Sequence, residues 1–304
     1  MPTDLVHSII STVAYFDLFD YPLTYPELYR YLWRSPKTTL AEVIQTAKQL
    51  DQLVELDGFV MFKNRSTLAT IRKQRYIESE LKFNKRRWYI WLLTLLPGVE
   101  AILLVNTFSY HNVRTESDID LLIVSRPHTI WATRFYTTVV AKLLRVRPRP
   151  NKSQDALCLS FYATPQGLPK LTDLQSHPND AMEAYWIAQA MPVYDPRHYV
   201  QQIVNSKWLN TVLPNNQPIT QHINRCIKHT WLHTIMHALG RLLLWNGVLK
   251  IVQLWIMPKQ LKQLSGPLET SSVVLTDDLL KFHTRDPRPE LLASWHNKIQ
   301  VYSR

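Results

Sequence analysis

Three short, mostly apolar runs constrain this chain more than any other feature: Val99–Val105 (VEAILLV), Leu121–Val124 and Ala156–Tyr162. Each has the length and composition of a buried strand, and His128–Val146 reads as a helix between the second and the third. Strands of this kind need helices on their faces, so the expected fold class is α+β, with a mixed sheet near residues 98–180. At roughly 150 residues per domain, 304 residues allow about two such units. An apolar content of 46% against 19% charged residues excludes a mainly disordered chain. Only six glycines are present, and neither GxGxxG nor GxxxxGK[ST] can be read anywhere, so functions that need a glycine-rich phosphate loop start at a disadvantage.

Residues 1–64 form a separate pattern. Leu5, Ile9, Ile10, Val13 and Ala14 recur at helical spacing, and Thr24 with Glu27 is a capping-box signature opening a helix over Tyr25–Trp33. Thr39 with Glu42 repeats it before Leu40–Leu50, and Leu53–Leu56, Asp57-Gly58 and Phe59–Phe62 spell a hairpin. Three helices and a hairpin predict a winged helix-turn-helix. Its net charge is −3, from five Lys/Arg against eight Asp/Glu. DNA binding is therefore less expected here than a protein-contact or substrate-positioning role, because phosphate neutralisation supplies most non-specific DNA affinity. Residues 65–97 carry eight Lys/Arg against two Asp/Glu and end at Pro97-Gly98. They predict a basic connecting helix, read either as a solvated face or as an RNA or nucleotide contact surface.

The whole chain carries +11, which favours anionic partners. Two cysteines, Cys158 and Cys226, form neither a CxxC pair nor a disulfide framework. With no basic segment before an apolar core in the opening residues, a cytoplasmic protein is expected. Residues 181–304 read as a helical C-terminal region, with helices over 181–191, 220–245, 248–257 and 291–301. Leu232–Met257 exceeds the roughly 20 apolar residues that cross a bilayer. It is interrupted by Arg241, Asn246-Gly247 and Lys250, and its polar positions change phase there. Two packed amphipathic helices fit better than a transmembrane span, leaving interfacial contact as the membrane reading. His222, Cys226, His229, His233 and His237 share one helical face without HExxH or an acidic partner, so a hydrogen-bonded histidine ladder is expected rather than zinc. Trp231, Ile235, Ala238 and Leu242 would supply the buried side. Asp277-Asp278 after Thr276 reads first as helix capping.

The chemistry concentrates between Asn106 and Val124. Asp118 and Asp120 lie one residue apart at the start of a strand, and the period of two sends both carboxylates to one face. Such a pair can hold one or two Mg²⁺ ions against a triphosphate; an isolated Asp-x-Asp is otherwise a strand end facing water.

This stretch resembles the nucleotidyltransferase signature of the DNA polymerase β superfamily, in which a strand ends in Gly-Ser, a helical turn follows, and Ser-Asp-x-Asp opens the next strand. Asn106-Thr107 stands at the Gly-Ser place, and Ser117-Asp-Ile-Asp-Leu121 has the form seen in small nucleotidyltransferases of that superfamily. The winged helix and helical C-terminal part are similar to bacterial nucleotidyltransferase-like proteins. The resemblance implies Mg²⁺ at Asp118 and Asp120, an NTP as substrate and phosphate contacts at Asn106, Thr107 and Arg114. It also implies a third carboxylate on a neighbouring strand. Asp155, at the start of Asp155–Tyr162, is the candidate acid, while Ser160 occupies mid-strand; Glu116 is read as solvent-facing. Arg145, Arg147, Arg149 and Lys152 are either further phosphate contacts or a solvated loop.

Three functions follow as expectations. The first is Mg²⁺-dependent transfer of a nucleoside monophosphate from an NTP to an acceptor hydroxyl. The second is a catalytically degenerate relative that binds nucleotide, RNA or a protein partner. The third is a winged-helix DNA-binding regulator.

Overall fold

The computed structural model describes residues 4–149, 153–171, 181–217, 223–267, 271–282 and 286–303. The N-terminal unit opens with α1 (Leu5–Asp17), whose Ile9, Val13, Ala14 and Phe16 are buried. In α2 (Tyr25–Arg30) and α3 (Leu40–Gln49) both expected capping boxes form, Thr24 with Glu27 and Thr39 with Glu42. Strands β1 (Leu53–Leu56) and β2 (Phe59–Phe62) pair antiparallel with Leu56 opposite Phe59. The linking Asp57 (φ +55°) and Gly58 (φ +81°) take the two left-handed conformations that a two-residue hairpin turn requires.

Helix α4 (Leu68–Thr94) runs 27 residues, and its charge is spent internally. Arg65 pairs with Asp17 and Asp20, Arg72 with Glu27, Lys73 with Asp57 and Arg75 with Asp20. Lys82 and Lys85 pair with Asp155, Arg86 donates to the Asp155 carbonyl, and Arg87 donates to the carbonyls of Asn224 and Cys226. All eight basic side chains of residues 65–97 thus have protein partners.

The main sheet contains β3 (Val99–Leu104), β4 (Ile119–Ser125), β5 (Leu157–Ala163), β6 (Met191–Tyr194), β7 (Val273–Leu275) and β8 (Leu279–Phe282) in the order β6-β3-β4-β5-β8-β7. Only β4 and β5 run parallel, joined across α5 (Ile130–Leu143), and the sheet is therefore mixed. One face carries Leu103, Leu122, Val124, Phe161 and Ala163, and its core is continuous with that of the N-terminal unit. The bridge is α6 (Ala181–Ala188): Tyr185 stands 4.0 Å from Tyr15 by ring centroids and donates to the Tyr31 carbonyl. Also on this side are α7 (Tyr199–Val204), α8 (Lys207–Val212) and, last in the chain, α12 (Arg288–Tyr302), whose buried Trp295 donates to the Ser11 carbonyl. The other face carries Ile102, Leu121, Ile123, Leu159 and Tyr162 against α4 and α5.

Two sequence expectations are corrected. The C-terminal region is not wholly helical, since Met191–Tyr194, Val273–Leu275 and Leu279–Phe282 are strands of the sheet. Thr276-Asp277-Asp278 accordingly caps no helix. It is the turn between β7 and β8, where Thr276 Oγ1 accepts from the Leu279 N–H as a cap would. Second, α9 (Trp231–Gly240) and α10 (Asn246–Ile256) are inside out relative to the expected packing. The histidine side faces the protein, while Trp231, Ile235 and Leu242 are exposed. The two helices meet at a 73° bend, and no single described helix is long and apolar enough to cross a membrane. A short helix, α11 (Lys259–Gln263), follows.

Candidate functional site

Asp118 precedes β4 and Asp120 is its second residue, so the strand period aims both side chains to the face that carries Leu122 and Val124. On the parallel neighbour β5, Cys158 stands in register with Asp120, and a bulge follows before Phe161 meets Leu122. One carboxylate oxygen from each aspartate and the Cys158 sulfur lie within 4.8 Å of one another, and all three residues are half-buried. Among the described residues this is the one group of three His, Cys, Asp or Glu ligands so close together.

The electrostatics are those of two acids crowded together, with Lys82 as a nearby counter-charge that burial outweighs. Burial, then the neighbouring Asp118 charge, push Asp120 up to about 6, against hydrogen bonds from Asn106 and Cys158. Asp118 is raised by burial, which outweighs its hydrogen bonds and the nearby Lys82. Burial and the Asp120 charge push the Cys158 thiol up to about 12, so it is neutral; its S–H donates to Ser160 Oγ at 3.3 Å. Two carboxylates suit Mg²⁺, which is commonly held by one or two protein carboxylates and completed by substrate phosphates and water. Cys158 Sγ offers a third, softer ligand atom, of the kind that Mg²⁺ does not favour. The residues present therefore could hold a metal ion, with Asp118 and Asp120 as the hard ligands and Cys158 as a soft one.

The loop after β3 approaches the same point. Asn106 has φ +54°, the left-handed region where glycine would be at ease, and it opens a 3-10 turn over Asn106–Phe108. Its Oδ1 accepts the Trp186 indole N–H at 2.9 Å. Thr107 is half-buried in the same turn, and its carbonyl accepts from Asn112 N–H at 2.8 Å. Next to Asn106 opens a cavity of about 230 Å³, walled by Phe161, Met182 and Trp186 on its apolar side and by Lys281, Arg288, Glu183 and Asp286 on its charged side. Arg288 pairs there with Asp286 at 2.7 Å and Glu183 at 3.5 Å.

Asp118, Asp120 and Asn106 thus lie together, Asn106 through its hydrogen bond to Asp120. Asp155 does not join them: its left-handed backbone (φ +58°) turns a buried carboxylate to Lys82 Nζ at 3.2 Å and Lys85 Nζ at 2.5 Å. Those lysines outweigh burial and hold Asp155 below the usual carboxylate range. Arg114 is exposed, 3.7 Å from Asp20, and lines a groove beside α4 with Glu116. Arg145, Arg147 and Arg149 line a separate groove after α5; Lys152 lies outside the described residues. His233 bonds Thr94 Oγ1 at 2.9 Å, His237 bonds the Thr94 carbonyl at 2.8 Å and His229 bonds Tyr194 Oη at 2.8 Å. Each histidine is therefore engaged in hydrogen bonding; His222 lies outside the described residues.

Three contributors escaped sequence reasoning. Cys158 was legible as a strand residue two places before Ser160, but its register against Asp120 was not. Lys82, nearly fully buried, donates to the carbonyls of Thr115 and Ser117 at 2.5 and 3.0 Å and so pins the loop that delivers Asp118. Trp186 arrives from α6, far along the chain. Comparison with protein-family models, curated proteins and solved structures finds no match to this chain.

Proposed function

We propose that this chain is a nucleotidyltransferase-like protein that takes a nucleoside triphosphate with a divalent cation at Asp118 and Asp120 and passes the nucleotidyl group to an acceptor hydroxyl. The observation that carries the reading is the convergence of these two half-buried carboxylates, with Asp120 raised to about 6 by burial and by its neighbour. Charge repulsion of this kind is what a bound cation relieves. The order α4, β3, β4, α5, β5 with one parallel pair supports the family resemblance, as the three helices and hairpin of residues 5–62 support a winged helix.

Asp118 and Asp120 would hold Mg²⁺, which when bound neutralises phosphate charge and aligns the attacking hydroxyl. The turn at Asn106-Thr107 would face the phosphates, and Trp186 would supply an aromatic wall. A second reading, binding without transfer, is favoured by one observation: the position across from Asp120 is a neutral thiol, Cys158, rather than a third carboxylate able to act as a base.

The test is titration of the full chain with Mg²⁺ and each NTP by calorimetry, paired with transfer of labelled α-phosphate to candidate acceptors. Cation-dependent NTP binding that disappears in Asp118→Asn supports both readings, and label transfer selects the first. Absence of cation-dependent binding sinks both.

A further inference from the structure

We propose that the elbow formed by α9 and α10 docks this protein flat on an anionic lipid surface. The polar sides of both helices are used up against the protein. His233 and Gln253 are buried; Asn246 Oδ1 accepts the N–H groups of Trp131 and Ala132 at 2.9 and 3.1 Å; and Gln253 Nε2 donates to the Trp131 carbonyl at 2.7 Å. Gly240 seats α9 directly on Pro97, where a Cβ would come within 2.8 Å of the ring. With the hydrogen-bonding side turned inward, the apolar side faces out. Trp231 is 74% exposed, Leu242 76%, Trp245 68% and Trp255 83%, with Leu239 and Ile251 between them. Isolated exposed apolar residues need no explanation, but a continuous row on two consecutive helices marks an interaction surface.

Charge identifies the partner. From Pro196 to Leu268 the sequence contains no Asp or Glu, and exposed Lys228, Arg241, Lys259 and Lys262 flank the apolar row. An apolar face that carries several tryptophans, on a stretch whose own charged residues are all cationic, is the pattern of a helix lying in the headgroup region of an anionic membrane. A second copy of this chain would set the same cationic residues against themselves, which like-charge repulsion disfavours. Neither α9 with 10 residues nor α10 with 11 could by itself cross a bilayer, which takes roughly 20 residues. Together they have the length and composition of a bent pair, but the inward bonds of His233, Asn246 and Gln253 hold both against the protein, as a helix lying flat allows. The surface belongs to the sheet face opposite the one that bears Asp118 and Asp120, so docking and the candidate site use different sides of the sheet.

The experiment is flotation of the full chain with phosphatidylcholine vesicles, with and without phosphatidylglycerol, together with tryptophan emission. The chain is expected to float with the anionic vesicles, to be released by salt, and to show a blue-shifted emission. Leu242→Ser with Trp255→Ser, at exposed positions that leave the core intact, should cut partitioning at least about tenfold. Lys259→Gln with Lys262→Gln should cut it only on anionic vesicles, by about fivefold per residue. Asp120→Asn should float like the wild type. Failure to float with anionic vesicles at low salt overturns the proposal. So does light scattering that shows a dimer dissolved by Leu242→Ser with Trp255→Ser, which would assign this face to a second copy.

Discussion

The indole N–H of Trp186 donates to Asn106 Oδ1 at 2.9 Å while the same Asn106 side chain hydrogen-bonds the Asp120 carboxylate. A left-handed residue at the end of β3 is thereby tied both to α6 and to the acidic pair. The asparagine supplies the backbone freedom that the family resemblance assigns to glycine, and adds a side chain that locks the turn in place. The nearby cavity borders Asn106 and Trp186, so this link also fixes one edge of the candidate binding space.

Replacing Asn106 separates its two roles. Asn106→Gly and Asn106→Ala both remove the acceptor of the Trp186 N–H and should both lower stability. Alanine additionally has to hold a left-handed φ without a side chain suited to it, a penalty of about 1 kcal/mol relative to glycine. Urea denaturation should therefore rank wild type above Asn106→Gly, and Asn106→Gly above Asn106→Ala. Equal midpoints for the two variants would contradict the left-handed assignment.

The acidic pair predicts a pH dependence with a definite sign. Asp120 is raised from its ordinary value to about 6 in the folded chain, so the stability linked to its proton is present at low pH and lost as pH rises through 6. At neutral pH without metal, Asp120→Asn should be more stable than wild type, by on the order of 1–2 kcal/mol. Cation uptake has the opposite trend, because the ligand must be ionised: Mn²⁺ or Mg²⁺ affinity should fall as pH drops through 6. Thermal melts across pH with and without cation check both halves. If added cation stabilises Asp120→Asn as much as the wild type, Asp120 is not a ligand.

Gly98 sits at φ +81° between Pro97 and β3, and its carbonyl accepts from the Arg126 N–H. A Cβ there would come within 2.2 Å of Thr133 Oγ1, a hydroxyl already bonded to Ser125 Oγ at 2.8 Å. Gly98→Ala should cost about 2–3 kcal/mol from strain and overpacking together. Chemical denaturation measures this, and a near-neutral result would mean that Thr133 moves aside freely.

The features legible in the sequence were those set by local chemistry. Thr24 and Glu27, Thr39 and Glu42, and the Asp57-Gly58 turn act on neighbours three or fewer residues away, so spacing alone specified them. The common face of Asp118 and Asp120 follows from the period of a strand. Long-range pairing was not legible. Strands β6, β7 and β8 are three or four residues long, too short to carry a period of their own, and they exist because the sheet offers edges to pair with. The phase of the polar positions in α9 and α10 was readable, but phase does not say which side meets the protein. Thr94, Trp131 and Pro97 decided that by offering partners to His233, Gln253 and Gly240. The basic residues of 65–97 likewise suggest an outward charge in the sequence, but Asp17, Asp20, Glu27 and Asp155 lie beside them.

Asp155 provides the sharpest separation between a carboxylate in a structural ion pair and the carboxylates of the acidic pair. It is the anionic partner of Lys82, whose ammonium is almost wholly buried and also holds the Thr115 and Ser117 carbonyls ahead of Asp118. Removing one partner of a buried pair strands the other charge, at a cost of about 3 kcal/mol or more. Asp155→Ala should therefore lower stability by about that amount, and Lys82→Met with Asp155→Leu together should recover part of it because no charge is left unpaired. Since Asp155 is held below the ordinary carboxylate range by Lys85 and Lys82 against the effect of burial, its contribution is present above the unfolded value and lost as pH falls through the depressed one. Under conditions where Asp155→Ala is still folded, its cation affinity should stay within about twofold of wild type, because its carboxylate faces α4 rather than the acidic pair. A loss of cation binding as large as that of Asp118→Asn, with folding verified by circular dichroism, would return Asp155 to the site.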